Sequence, residues 1–128
     1  MINIGALSQR TGVNIETIRY YEKSGLLPSP ARTQGGFRQY EDRHVQRLRF
    51  IRRGRDLGFS IESIRALLGL AEQPEHRCGD ADRIASEHLA AIERKIEELE
   101  RLRDALNAMA NCRADRVAEC RIIEALAS

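Results

Sequence analysis

Residues 4–40 read IGALSQRTGVNIETIRYYEKSGLLPSPARTQGGFRQY, and the fold turns on this stretch. Ile4, Leu7 and Ser8 open a short helix behind Asn3, whose side chain suits the N-cap, and Gly12 stops it. Asn14 offers a second cap, and in IETIRYYEKS the residues Ile15, Ile18 and Tyr21 share one face before Gly25 ends the helix. Two short helices joined by a tight glycine-containing turn read as helix-turn-helix. Residues 28–40 hold two of the three prolines, adjacent Gly35 and Gly36 and a β-prone FRQY tail, which predicts a small hairpin, or wing.

Helical spacing returns at Glu41, with Val45, Leu48, Ile51 or Phe50, and Leu57 expected to face inward up to Gly58. Ser60 then caps a helix carrying Ile61, Ile64, Leu67 and Leu68 on one side, which completes a first domain over residues 1–70. Residues 71–79, with Pro74, form a polar linker, and a dimerisation helix is expected over 80–111, a span without Pro or Gly. Its Leu89, Ile92, Ile96, Leu99, Leu102, Leu106 and Met109 recur at three- and four-residue intervals, with Arg103 interrupting one apolar position. That stripe is too narrow for a globular core and fits a coiled-coil seam, which one helix cannot bury alone, so a homodimer is expected. Residues 112–128 supply an irregular loop, 112–120, and a short closing helix, RIIEALAS. The expected class is mainly α: a winged helix-turn-helix followed by a long antiparallel coiled-coil helix.

Composition narrows the function. The net charge of +2 over 128 residues hides an asymmetry: residues 1–77 carry 13 basic and 8 acidic side chains, residues 78–128 carry 8 and 11. All six aromatics lie within the first 59 residues. No apolar run approaches the roughly 18 residues a membrane span needs, and MINIGALSQR lacks a basic n-region and a long h-region, so the expected location is the cytoplasm, with no membrane partner. Three cysteines, an odd number in a reducing compartment, argue against a disulfide scaffold and for thiol or metal chemistry, or for no chemistry at all. An enzyme is not expected: there is no glycine-rich phosphate loop after a strand and no nucleophile with a recognisable base.

The second helix carries Thr17, Arg19 and Tyr20 on the side opposite its apolar face, and the wing offers Arg32, Arg38 and Tyr40. Guanidinium groups bind phosphates or fork onto guanine, and tyrosine hydroxyls donate to phosphate oxygens, so this cluster suits double-stranded DNA. The basic run Arg47, Arg49, Arg52, Arg53 and Arg55 on the next helix adds candidate phosphate contacts. Helix-turn-helix, glycine wing and basic helix in that order are far more specific together than singly. The motifs TIRYYE, GLL with Pro28 following, and GGFRQY resemble the DNA-binding domain of the MerR family of transcriptional regulators, and the pattern extends over essentially the whole chain. By that resemblance Arg19, Tyr20 and Tyr21, with Arg32, Phe37, Arg38 and Tyr40, match positions of DNA contact or wing packing. It also implies a dimer on promoter DNA that, with effector bound, distorts an overlong spacer so that RNA polymerase holoenzyme engages both promoter elements.

Cys78, Cys112 and Cys120 are the candidate sensors. Cys78 and Cys112 are 34 residues apart, and a helix rising about 1.5 Å per residue separates them by roughly 50 Å, so they cannot share an ion within one chain. In an antiparallel pair, Cys78 of one subunit arrives beside Cys112 and Cys120 of the other, giving two symmetry-related sites. Three thiolates favour Hg(II), Cd(II), Pb(II) and Zn(II), whereas two in line suit Cu(I), Ag(I) or Au(I). The resemblance sharpens this, because its divalent-metal sensors carry Cys where this chain has Cys78 and its copper sensors typically carry Ser. Against that, the Cys112 to Cys120 spacing resembles the copper sensors, and Arg121 stands where many members place Pro. The expected effector is a soft divalent ion controlling efflux or detoxification, with Cu(I) or a Cys112–Cys120 redox switch as alternatives. His76 is a candidate fourth ligand, His88 a residue that supports the ligands or the coil interface, and His44 a structural residue.

Overall fold

The computed structural model describes residues 1–128 and divides them into two compact units, Met1–Ala81 and Asp82–Ser128. In the first, Asn3 Oδ1 accepts from the Ala6 N–H at 2.8 Å and starts α1, Ile4–Thr11. The helix ends at Gly12, whose φ of 72° turns its N–H back to the Ser8 carbonyl at 2.8 Å. Gly12 is required twice over, since a Cβ there would lie 1.5 Å from Nη1 of Arg52. That same Nη1 donates to the Thr11 carbonyl at 2.8 Å, tying the end of α1 to α3, Asp42–Asp56.

α2, Ile15–Lys23, starts at Asn14, whose Oδ1 accepts from the Thr17 N–H at 2.8 Å. The chain then doubles back. The N–H groups of Leu26 and Leu27 both donate to the Tyr21 carbonyl, at 2.9 and 3.1 Å, and both leucines are fully buried. The wing follows as β1, Ala31–Arg32, antiparallel to β2, Arg38–Gln39, with Ala31 opposite Gln39 and Arg32 opposite Arg38. Ile2 and Tyr40 exchange backbone hydrogen bonds at 2.9 and 2.7 Å beyond this ribbon and extend its pairing to the start of the chain.

α3 opens with a capping box in which His44 takes the place usually held by Glu or Gln: the Glu41 N–H donates to His44 Nδ1 at 2.9 Å. α4, Ile61–Ala71, is capped by Ser60 Oγ, which accepts from the Ser63 N–H at 3.1 Å. Gly54 permits close packing of α3 on α4, because a Cβ there would meet Ile64 Cγ1 at 2.9 Å. Leu7, Ile18, Val45, Leu48, Ile51 and Ile64 belong to the buried cluster, as helical spacing predicts. Leu57 does not: it is 65% exposed, because α3 stops at Asp56 and the turn carries the next side chain off the inward face. α4 continues through Ala71, so the segment between α4 and the next helix is shorter than the linker read from sequence.

That next helix, α5, runs over Gly79–Met109 without a single buried residue. Its apolar stripe lies open to solvent, from Ile92 at 39% exposure to Leu106 at 61%. Asn111 follows with a left-handed φ of 62°, a 3-10 turn spans Val117–Glu119 inside the segment expected to be irregular, and α6 covers Arg121–Ala127. No helix is long and apolar enough to cross a membrane.

Candidate functional site

α2 presents Arg19 and Tyr20 to solvent, Tyr20 at 62% exposure, with Thr17 half-buried beside them. One turn after Arg19, the nearly buried Glu22 carboxylate clamps the wing to α2: Oε1 accepts from the Tyr40 hydroxyl at 2.6 Å, and Oε2 pairs with the Arg38 guanidinium. Burial above all, and then the bond to Glu22, push the Tyr40 hydroxyl up to about 12, so it stays a proton donor. Tyr40 is fully buried, edge-on to His44 at 5.4 Å, and Tyr21 is also buried. The expectation that the wing offers Tyr40 outward is therefore corrected. These two rings hold α2 and the wing in place from within, while Arg19, Tyr20, Arg32 and Phe37 remain exposed and Arg38 is partly so.

The ribbon register sets Arg32 directly opposite Arg38. Like charges facing each other across two strands are unfavourable by themselves, and Glu22 offsets only one of them. A polyanion relieves the other, which makes the ribbon suited to a phosphate backbone. The arginines of α3 divide differently from the sequence expectation. Arg47 Nε donates to the Leu26 carbonyl at 2.7 Å and its Nη1 to Glu72 at 2.8 Å, Arg52 is held by Thr11, and Arg55 donates to the Phe59 carbonyl at 2.8 Å. Three of the five thus serve the fold. Sequence reasoning also missed Glu22, whose role depends on a wing residue 18 positions away.

The cysteines are all free thiols. Cys78 is exposed and lines a groove with His76, Phe50, Leu67 and Leu70, while His76 Nε2 sits 2.8 Å from Asp80 Oδ2. Cys112 and Cys120 are half-buried and meet at the end of α5. The Ala114 N–H first and the Arg121 N–H second, then the Cys120 thiol and the Arg121 charge, hold the Cys112 thiol below its ordinary value against the opposing effect of burial. Arg121 also reaches back to the end of α5, where Nη2 donates to the Ala110 carbonyl at 2.7 Å and Nε to Met109 at 3.4 Å. No group of three His, Cys, Asp or Glu side chains in the chain is placed to hold a metal ion. Two of the three expected ligands come together, and Cys78 is not among them.

Two capped helices, a wing clamped to the second of them and an open arginine-bearing face define a winged helix-turn-helix DNA-binding protein. The chain belongs to the MerR family of transcription regulators: the family model described as MerR HTH family regulatory protein matches residues 2–70, and that described as MerR, DNA binding matches residues 45–109. Among its relatives is the heavy metal-dependent transcription regulator 2 of Rhizobium meliloti, 41% identical over 128 residues, covering 99% of this chain and 87% of the relative. The structure is similar to that of the transcription regulator PbrR691 from Ralstonia metallidurans in complex with lead(II), with TM-score 0.85 and 39% identity over 98% of this chain and 99% of that one. MerR from Bacillus megaterium in complex with mercury(II) is similar at TM-score 0.74 and 37% identity, over 99% of this chain and 100% of that one.

Proposed function

We propose that this chain is a homodimeric, metal-responsive regulator that activates a metal efflux or detoxification promoter. A soft divalent ion, Zn(II), Cd(II), Pb(II) or Hg(II), is held between subunits by Cys78 of one chain and Cys112 and Cys120 of the other. The observation that carries this reading is the paired Cys112 and Cys120 at the end of a helix whose apolar stripe is open, in a chain with no complete ligand set of its own. Antiparallel pairing through Leu99 and its neighbours covers the stripe and supplies the third thiolate from the partner. The similar structures that hold lead(II) and mercury(II) support a divalent effector. Ion binding then shifts a two-state dimer so that its heads distort the promoter spacer for RNA polymerase holoenzyme, a signal carried by DNA deformation.

A second reading rests on the same pair. Cys112 and Cys120 alone form a two-thiolate site of the kind that suits Cu(I). Competitive titration of the reduced protein with Zn(II), Cd(II), Pb(II), Hg(II) and Cu(I), repeated on Cys78→Ser, separates the two. One divalent ion per chain, lost in the variant, supports the three-thiolate site. Tight Cu(I) binding indifferent to the substitution supports the copper reading, and no tight binding of any ion leaves the redox switch.

A further inference from the structure

We propose that Arg121 is a positioning residue, a latch that closes the cysteine loop before any ion arrives. This rests on the reading of Cys112 and Cys120 as ligands, but the geometry is independent of the metal. A helix C-terminus leaves its last carbonyls without intrahelical partners, and a cationic side chain both satisfies them and matches the negative end of the helix dipole. The Arg121 guanidinium does this from outside the helix, donating to Ala110 at 2.7 Å and Met109 at 3.4 Å from a position 11 and 12 residues further along. The planar fork spans two successive carbonyls, which a lysine ammonium cannot match in geometry.

The consequence falls on the thiols. Cys112 lies two residues after Ala110, and Cys120 immediately precedes Arg121. Holding residue 121 to residues 109 and 110 therefore brings both ends of the 112–120 loop together. Asn111, between Ala110 and Cys112, turns the chain in the left-handed region at φ 62°. The loop's closure entropy is met by the latch rather than at the moment an ion binds.

The test uses the full chain in a Cys78→Ser background, so that only Cys112 and Cys120 can pair. The metal-free readout is the rate at which diamide, which takes up two electrons and two protons from the thiols, forms the intrachain disulfide. Arg121→Met removes the latch, and Arg113→Met removes a like charge from within the loop. Arg121→Met is expected to slow disulfide formation by about fivefold and Arg113→Met to leave it unchanged, with Arg121→Lys between wild type and Met. Equal rates for all four proteins, or equal slowing by both Met variants, would overturn the proposal. Cd(II) release is then followed with Cys78 restored, where Arg121→Met is expected to release the ion faster. A wild type that binds no Cd(II), Pb(II), Hg(II), Zn(II) or Cu(I) sinks the metal reading, while the disulfide rates still decide whether Arg121 closes the loop.

Discussion

The Tyr40 hydroxyl, at the base of the wing, donates to Glu22 Oε1 on α2 at 2.6 Å. This bond crosses between the two elements that bear the exposed arginines, and Arg38 pairs with the other oxygen of the same carboxylate. The angle between wing and helix is therefore set inside the protein. Glu22→Ala would strand a buried hydroxyl and free Arg38, at a cost of about 2 kcal/mol. A lowered urea midpoint together with weaker binding to a promoter fragment is expected. An unchanged midpoint would remove Glu22 from the clamp.

His44 supplies a pH dependence. Burial, reinforced by the Arg43 charge, holds its ring below the usual value of 6.5. Nδ1 accepts the Glu41 N–H, so the folded ring is neutral and its proton sits on Nε2. Below the usual value the unfolded chain takes up a proton that the folded chain resists. The stabilisation is therefore complete above 6.5 and is lost as pH falls through the lower folded value. The thermal stability of wild type should fall more steeply as the pH drops below 6.5 than that of His44→Gln. Parallel curves would contradict the assignment.

Much of the first unit was legible because its signals are local. Asn3, Asn14 and Ser60 each cap a helix within three residues, and Gly12 ends α1 one position after its last residue. What escaped were the long-range commitments. An arginine that satisfies a carbonyl reads the same as one that awaits a phosphate, so Arg47, Arg52 and Arg55 read from sequence as DNA contacts. Tyr40 reads from sequence as a wing donor, whereas its ring is buried edge-on to His44. The α5 stripe was readable from its spacing, whereas the pairing of Cys112 with Cys120 depends on Arg121 reaching back along the chain, which no periodicity records.

Arg19 is exposed on α2, whereas Arg47 is tied to Leu26 and Glu72. Fluorescence anisotropy on a promoter duplex across salt concentrations should distinguish them. Arg19→Ala is expected to weaken binding and to reduce the salt slope by about 1. Arg47→Ala is expected to lower stability while leaving that slope in place. The reverse pattern would exchange their roles.

Leu99 lies in the middle of the open α5 stripe at 57% exposure. A carboxylate there would be forced into an apolar seam, so Leu99→Asp should give monomer by light scattering at concentrations where wild type is dimer. A dimer that survives the substitution would place the interface elsewhere.

The central claim is that one ion draws ligands from two chains, and subunit mixing tests it most directly. Cys78→Ser chains and Cys112→Ser chains are each expected to lack a three-thiolate site as homodimers. Unfolded together and refolded at equal concentration, they are expected to form heterodimers in which Cys78 of one chain meets Cys112 and Cys120 of the other at one of two sites. Divalent binding should return at about a quarter of the wild-type stoichiometry, as random pairing of a two-fold dimer dictates. A mixture that binds no more than its separate components would contradict the shared site.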